Sequence, residues 1–109
     1  MMTVDEAIDS FKRRKKNIAC NGKSGLLFTL ESLGFGHKDG KVKGHRVFWH
    51  DELSAMTGAP VQLTVDCGHL PDREMKLPYV VKVIRFLETN KQELEQILQV
   101  KKGEKNDKS

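Results

Sequence analysis

The sequence predicts an α+β fold of two layers, a small antiparallel three-stranded sheet with helices packed on one face. Three observations lead there. Apolar spacing is helical toward both ends of the chain and alternates with period two in its middle, so strands lie between helices. The length, 109 residues, suits one domain around a single modest core. The 38% apolar and 31% charged residues are ordinary for a globular chain and far from the balance of a disordered one. The expected layout is one domain over residues 1–100, with its core in 24–88, an N-terminal helical extension over 1–20 and a disordered polar tail over 101–109. No internal repeat is visible.

The elements follow in order. Residues 3–14, "TVDEAIDSFKRR", read as a helix. Thr3 and Glu6 have the T-x-x-E spacing of a capping box, and Val4, Ala7, Ile8 and Phe11 fall on one face. Acids lie in its first turn and bases in its last, as the helix dipole favours. The run "KRRKK", residues 12–16, is either a solvated helix end or a phosphate-contacting arm. After a turn at Asn21-Gly22, a second helix is expected over about 24–33. Ser24 would be its N-cap, Leu26, Leu27, Leu30 and Leu33 its apolar face, and Gly34 its stop.

The middle of the chain supplies the strands. "GFGHKDGKVKG" is rich in glycine and positive charge. Either Phe35–His37 forms a short strand that turns at "KDGK" and pairs with 42–50, or the strand runs through 35–43 and turns at Lys43-Gly44. "HRVFWH", residues 45–50, has the β-branched and aromatic content of a strand. "VQLTVDC", 61–67, alternates strictly, with Val61, Leu63, Val65 and Cys67 on one face. Between them, 51–60 reads as a long hairpin loop. Pro78 suits the first turn of a last helix, whose apolar face is Val80, Val83, Ile84 and Leu87. That helix either continues through Leu94, Ile97 and Leu98 or breaks at "TNKQE", with Asn90 and Glu93 capping a new one.

Composition narrows the function classes. The net charge is +4, which favours polyanionic partners through faster association and counterion release. No apolar run approaches the roughly 18–20 residues that span a bilayer, so no membrane is expected. The opening residues lack the apolar core of a signal peptide. Two cysteines, Cys20 and Cys67, make no disulfide framework, and reduced thiols in the cytoplasm are expected.

Four histidines are candidates for chemistry, because imidazole titrates near neutrality. His45 stands out, with Lys41, Lys43 and Arg46 beside it. His37, His50 and His69 read more simply as surface residues. Trp49, the single tryptophan, shares a strand face with His45 and Val47. If Phe48 packs under the helices, Trp49 lies open beside His45 and can stack a base; in the reverse register Val47 and Trp49 are core. Cys67-Gly68-His69 with His50 is the one grouping that suggests zinc. It lacks the second close ligand pair of such sites, and neither a metal nor any other cofactor is expected.

The order of "HRVF", then "VDCGHLPDREMK", then a helix carrying "VIRFLE" resembles the HicA toxin family across about residues 24–88. His45-Arg46-Val47-Phe48 fits the H-x-x-F of its signature strand, and His69 and Glu74-Met75 fit the segment before the last helix. Lys43-Gly44 stands where the family prefers Gly-Ser, and Pro78 where many relatives carry Gly. The resemblance implies a fold like that of double-stranded-RNA-binding domains. It also implies a toxin of a type II toxin–antitoxin system that cleaves mRNA without a metal ion, acts in the cytoplasm and is covered by a HicB-like antitoxin. His45 would be the general acid–base. Lys41, Lys43, Arg46, Trp49, Lys82 and Arg85 would hold RNA. Two other readings use the same residues: a non-catalytic RNA-binding domain and a protein–protein interaction module.

Overall fold

In the computed structural model, residues 3–14, 17–22, 25–67 and 73–107 are described, the side chains up to residue 100. The order is α1 (Val4–Arg13), α2 (Leu26–Ser32), β1 (Gly36–Asp39), β2 (His45–Trp49), α3 (Asp51–Thr57), β3 (Gln62–Asp66), α4 (Leu77–Thr89) and α5 (Lys91–Asp107). The three strands form one antiparallel sheet in the order β1-β2-β3. This is the predicted α+β architecture.

The capping box of α1 is complete. The Glu6 N–H donates to Thr3 Oγ1 and the Thr3 N–H to Glu6 Oε1, both at 3.1 Å. The predicted face, Val4, Ala7, Ile8 and Phe11, is buried where α1 packs on α4 and α5. Two surface pairs mark the same seam: Lys12 with Glu88 at 2.9 Å and Lys91 with Asp5 at 2.6 Å. The hydrogen bond that the Lys91 ammonium donates to Asp5 holds it above its usual pKa.

The second helix begins at Leu26 behind Gly25, which makes no side-chain cap; Ser24 lies outside the described residues. Its end is closed as expected. The Gly34 N–H reaches Glu31 O and the Phe35 N–H reaches Leu30 O, both at 3.0 Å, with Gly34 at φ 97°. These are the two bonds of a Schellman motif. In the sheet, Phe48, Leu63 and Val65 point under the helices and are buried; each such side chain contributes about 1.5–3 kcal/mol through burial.

Four expectations are corrected. Residues 51–60 are not a hairpin loop throughout, because α3 occupies most of them. Its N-cap is His50, whose Nδ1 accepts the Leu53 N–H. Next, Cys20 and Cys67 are not free thiols but a disulfide across 47 positions, Cα–Cα 5.9 Å. The pairing arises because residue 20, on the connector after α1, is folded against the end of β3. The tail from 101 begins as a continuation of α5, helical to Asp107; lysine and glutamate are good helix formers. Finally, β2 begins at His45, and Gly40–Gly44 join it to β1. The turn lies between the two alternatives that the glycines allow.

The last helical stretch breaks at Asn90. Its Nδ2 donates back to Phe86 O at 2.9 Å, so it closes α4 instead of capping α5. Among the described residues no helix is long and apolar enough to cross a membrane.

Candidate functional site

The hydrogen bonds of the sheet decide which side chains meet. His45 pairs with Asp66, Val47 with Thr64 and Trp49 with Gln62; Gly36 pairs with Trp49 and Lys38 with Val47. Since Phe48 faces the helices, these residues share the other, open face. Of the two registers that the sequence leaves open, the one with Trp49 on the open face is observed. Lys38 and Asp66 are the residues that sequence reasoning missed. Period-two alternation finds both, once the turn position is known.

The entry to β2 is tightly specified. The Gly40 N–H donates to His45 O at 2.8 Å, the His45 N–H to Val42 O at 3.0 Å and the Cys67 N–H to Gly44 O at 2.7 Å. Gly44 takes φ 89°, a backbone that glycine adopts without strain. The last of these bonds joins residues 44 and 67, so 45 and 66 form a non-hydrogen-bonded pair. Side chains approach most closely at such pairs, with Cβ atoms about 4.5–5.5 Å apart. A carboxylate therefore stands across from the imidazole of His45. The turn before it presents Lys41 and Lys43, both exposed.

The described histidines differ in what they hold. The His37 ring donates through Nε2 to Glu31 at 2.6 Å and accepts Arg46 Nη1 at Nδ1 at 2.8 Å; Arg46 also donates to Asp39 at 3.0 Å. His50, expected at the surface, is 1% exposed. Its Nε2–H donates to Leu33 O at 3.0 Å and its Nδ1 accepts the Leu53 N–H at 3.1 Å, with the Phe35 ring edge-on at 4.9 Å. In both rings each nitrogen is engaged. His45 is half-buried, and no hydrogen bond or ion pair engages its side chain among the described residues. His69 lies outside the described residues, as does Gly68.

The predicted cations do not all converge. Lys41 and Lys43 lie near His45. Arg46 points to the opposite face, into the network with His37 and Asp39. Lys82, on α4, reaches the sheet edge, where Nζ donates to Thr64 O at 2.8 Å. Arg85 lies in a cleft between α1 and α4 with Lys12 and Glu88. In the basic run, Arg13 pairs with Asp9 and Arg14 donates to Ser10; Lys15 and Lys16 lie outside the described residues. Of the zinc-like grouping, Cys67 is held in the disulfide and His50 by its two hydrogen bonds. No group of three potential metal ligands occurs among the described residues.

Trp49 bounds a groove of about 640 Å³ with Asp51, Ser54, Pro60, Val61 and Gln62. Its ring lies over Gly36, where a Cβ would stand 2.6–2.8 Å from Cε2, Cζ2 and Nε1. No family model, curated protein or solved structure matches this chain.

Proposed function

We propose that the chain is the toxin of a type II toxin–antitoxin system, a metal-independent endoribonuclease of the HicA kind that cleaves mRNA with His45 as general acid–base. The observation that carries this reading is the contrast among the described histidines: His45 alone keeps both ring nitrogens available, on the open face and beside the lysine turn. RNA brings its own nucleophile. His45 takes the proton of the 2′-OH, the oxygen attacks phosphorus, and the P–O5′ bond breaks to leave a 2′,3′-cyclic phosphate and a 5′-OH that gains a proton. Lys41 and Lys43 supply positive charge for the phosphorane. Asp66, the cross-strand partner of His45, stands on the same face. A HicB-like antitoxin would cover this face.

A toxin acting on mRNA works in the cytoplasm, where thiols are kept reduced, so activity is to be measured with and without reductant. Purified protein in EDTA should cleave single-stranded RNA and spare DNA, and induced expression should arrest growth and shorten mRNA. His45→Ala should abolish both effects. Equal cleavage by His45→Ala and wild type would sink the catalytic assignment. The second reading, an RNA-binding domain without catalysis, draws support from the lack of a second proton-transfer group hydrogen-bonded to His45; RNA bound but left intact would favour it.

A further inference from the structure

We propose that Trp49 is the stacking platform of a nucleobase subsite, which seats one base of single-stranded RNA a few nucleotides from the bond that His45 addresses. The subsite rests on the nuclease reading for its substrate, but its geometry is independent of catalysis.

Four features of the structure converge on it. The first is placement: the indole is folded onto the neighbouring strand, over the one residue type that leaves room. Gly36 is the cross-strand partner of Trp49, and any Cβ there would meet the ring at 2.6–2.8 Å. The ring thus rests over the backbone of Gly36, while the residue as a whole is half-buried.

The second feature is hydrogen-bonding capacity. The indole Nε1–H has no acceptor among the described residues, and Asp51 and Gln62, which bound the same groove, are exposed and unpaired. A base has a π-face for the ring and polar edges for these groups; an apolar ligand would leave them unused. The third is charge: Lys38 shares the face, and Lys41 and Lys43 sit at its far end, so a phosphate chain lying along β2 has cations beside it. The fourth is reach. Trp49 is four residues from His45 along one strand, about 13 Å. At about 3.4 Å per stacked nucleotide, and more when unstacked, the seated base lies within about four nucleotides of the bond cleaved.

Because the chain has one tryptophan, its emission reports on this subsite alone. The test uses a short single-stranded RNA with 2′-O-methyl riboses, which cannot be cleaved. Titration into wild-type protein should change Trp49 emission in step with binding measured on a labelled copy of the same RNA. Trp49→Leu should weaken binding about 5- to 150-fold, the range of one lost base stack, while Trp49→Phe should keep most of it. Gly36→Ala keeps the indole but displaces it, and should weaken binding toward the Trp49→Leu value. Should Trp49→Leu fail to fold, the wild-type titration and Gly36→Ala decide. Binding with unchanged emission, or Trp49→Leu and Gly36→Ala within twofold of wild type, would overturn the subsite, as would absence of binding. Cleavage of unmodified RNA is scored separately. A protein that shows the emission change but does not cleave keeps the subsite and loses the nuclease; one that cleaves without the emission change does the reverse.

Discussion

The two faces of the sheet use the same residue types to opposite ends. On the helix side, His37, Arg46 and Asp39 are joined to Glu31, and His50 spends both nitrogens on backbone groups. On the open side, His45, Lys38 and Trp49 have no such bonds. Polar groups near a core must be satisfied because an unsatisfied one costs about 1–3 kcal/mol. Polar groups facing water carry no such obligation. A histidine is thus a better candidate for chemistry when its surroundings leave it uncommitted. Basic neighbours in sequence do not mark such a histidine, since Arg46, next to His45, belongs to the other face.

The largest effect expected from breaking this contrast is at His45. His45→Ala should lower the RNA cleavage rate by about two to four powers of ten and leave the denaturation midpoint almost unmoved, within about 0.5 kcal/mol. A large stability loss would place His45 among the structural residues. Next comes the disulfide, which fastens the end of β3 to the connector after α1. Closing a loop of 47 residues restricts the unfolded chain by about 4 kcal/mol. The double variant Cys20→Ser, Cys67→Ser should unfold at correspondingly lower denaturant, and reduced wild type should match it. Equal midpoints for oxidised and reduced wild type would refute this.

A smaller loss is expected on the helix side. His50→Ala removes an N-cap and leaves the Leu33 carbonyl unpaired, at about 2–3 kcal/mol in stability. Calorimetry checks it, and RNA cleavage at a temperature well below unfolding should be unchanged. The smallest effect is at Arg46. Its ion pair is partly exposed, so Arg46→Gln should cost about 1 kcal/mol or less and alter RNA affinity less than Lys43→Gln does. A larger affinity loss at Arg46 would mean that the network opens to meet RNA, and the two faces would no longer divide by role.

Much of the fold was legible. Thr3 and Glu6 announce α1, Gly34 ends α2, Pro78 starts α4, and strict alternation over 61–67 gives β3 its buried Leu63 and Val65. What was not legible depends on tertiary contacts. Helix α3 buries one apolar residue, Leu53, and is capped by a histidine, which is not a usual N-cap; only the acids Asp51 and Glu52 and the Gly58 stop hinted at it. The disulfide joins two residues with no motif between them. His45 was a candidate from its neighbours in the chain, but which of them share its face, and the presence of Lys38 and Asp66 there, come from register. The glycines at 40 and 44 leave several turns open until the sheet bonds are known.

The cross-link between Cys20 and Cys67 also divides the chain topologically. Residues 20–67 become a covalent ring that contains α2, α3 and the whole sheet, and the segments outside it are two tails. One tail carries α1, the other α4 and α5, and they close over the ring by packing on each other. Their seam is extended where Ala19 bridges Glu74 and the Met75 N–H meets Ile18 O at 2.7 Å. A proteolytic nick at the exposed Lys41–Lys43 turn therefore opens the ring without releasing a fragment. The two pieces, one with each tail, stay joined through sulfur even when unfolded, until a reductant breaks that bond.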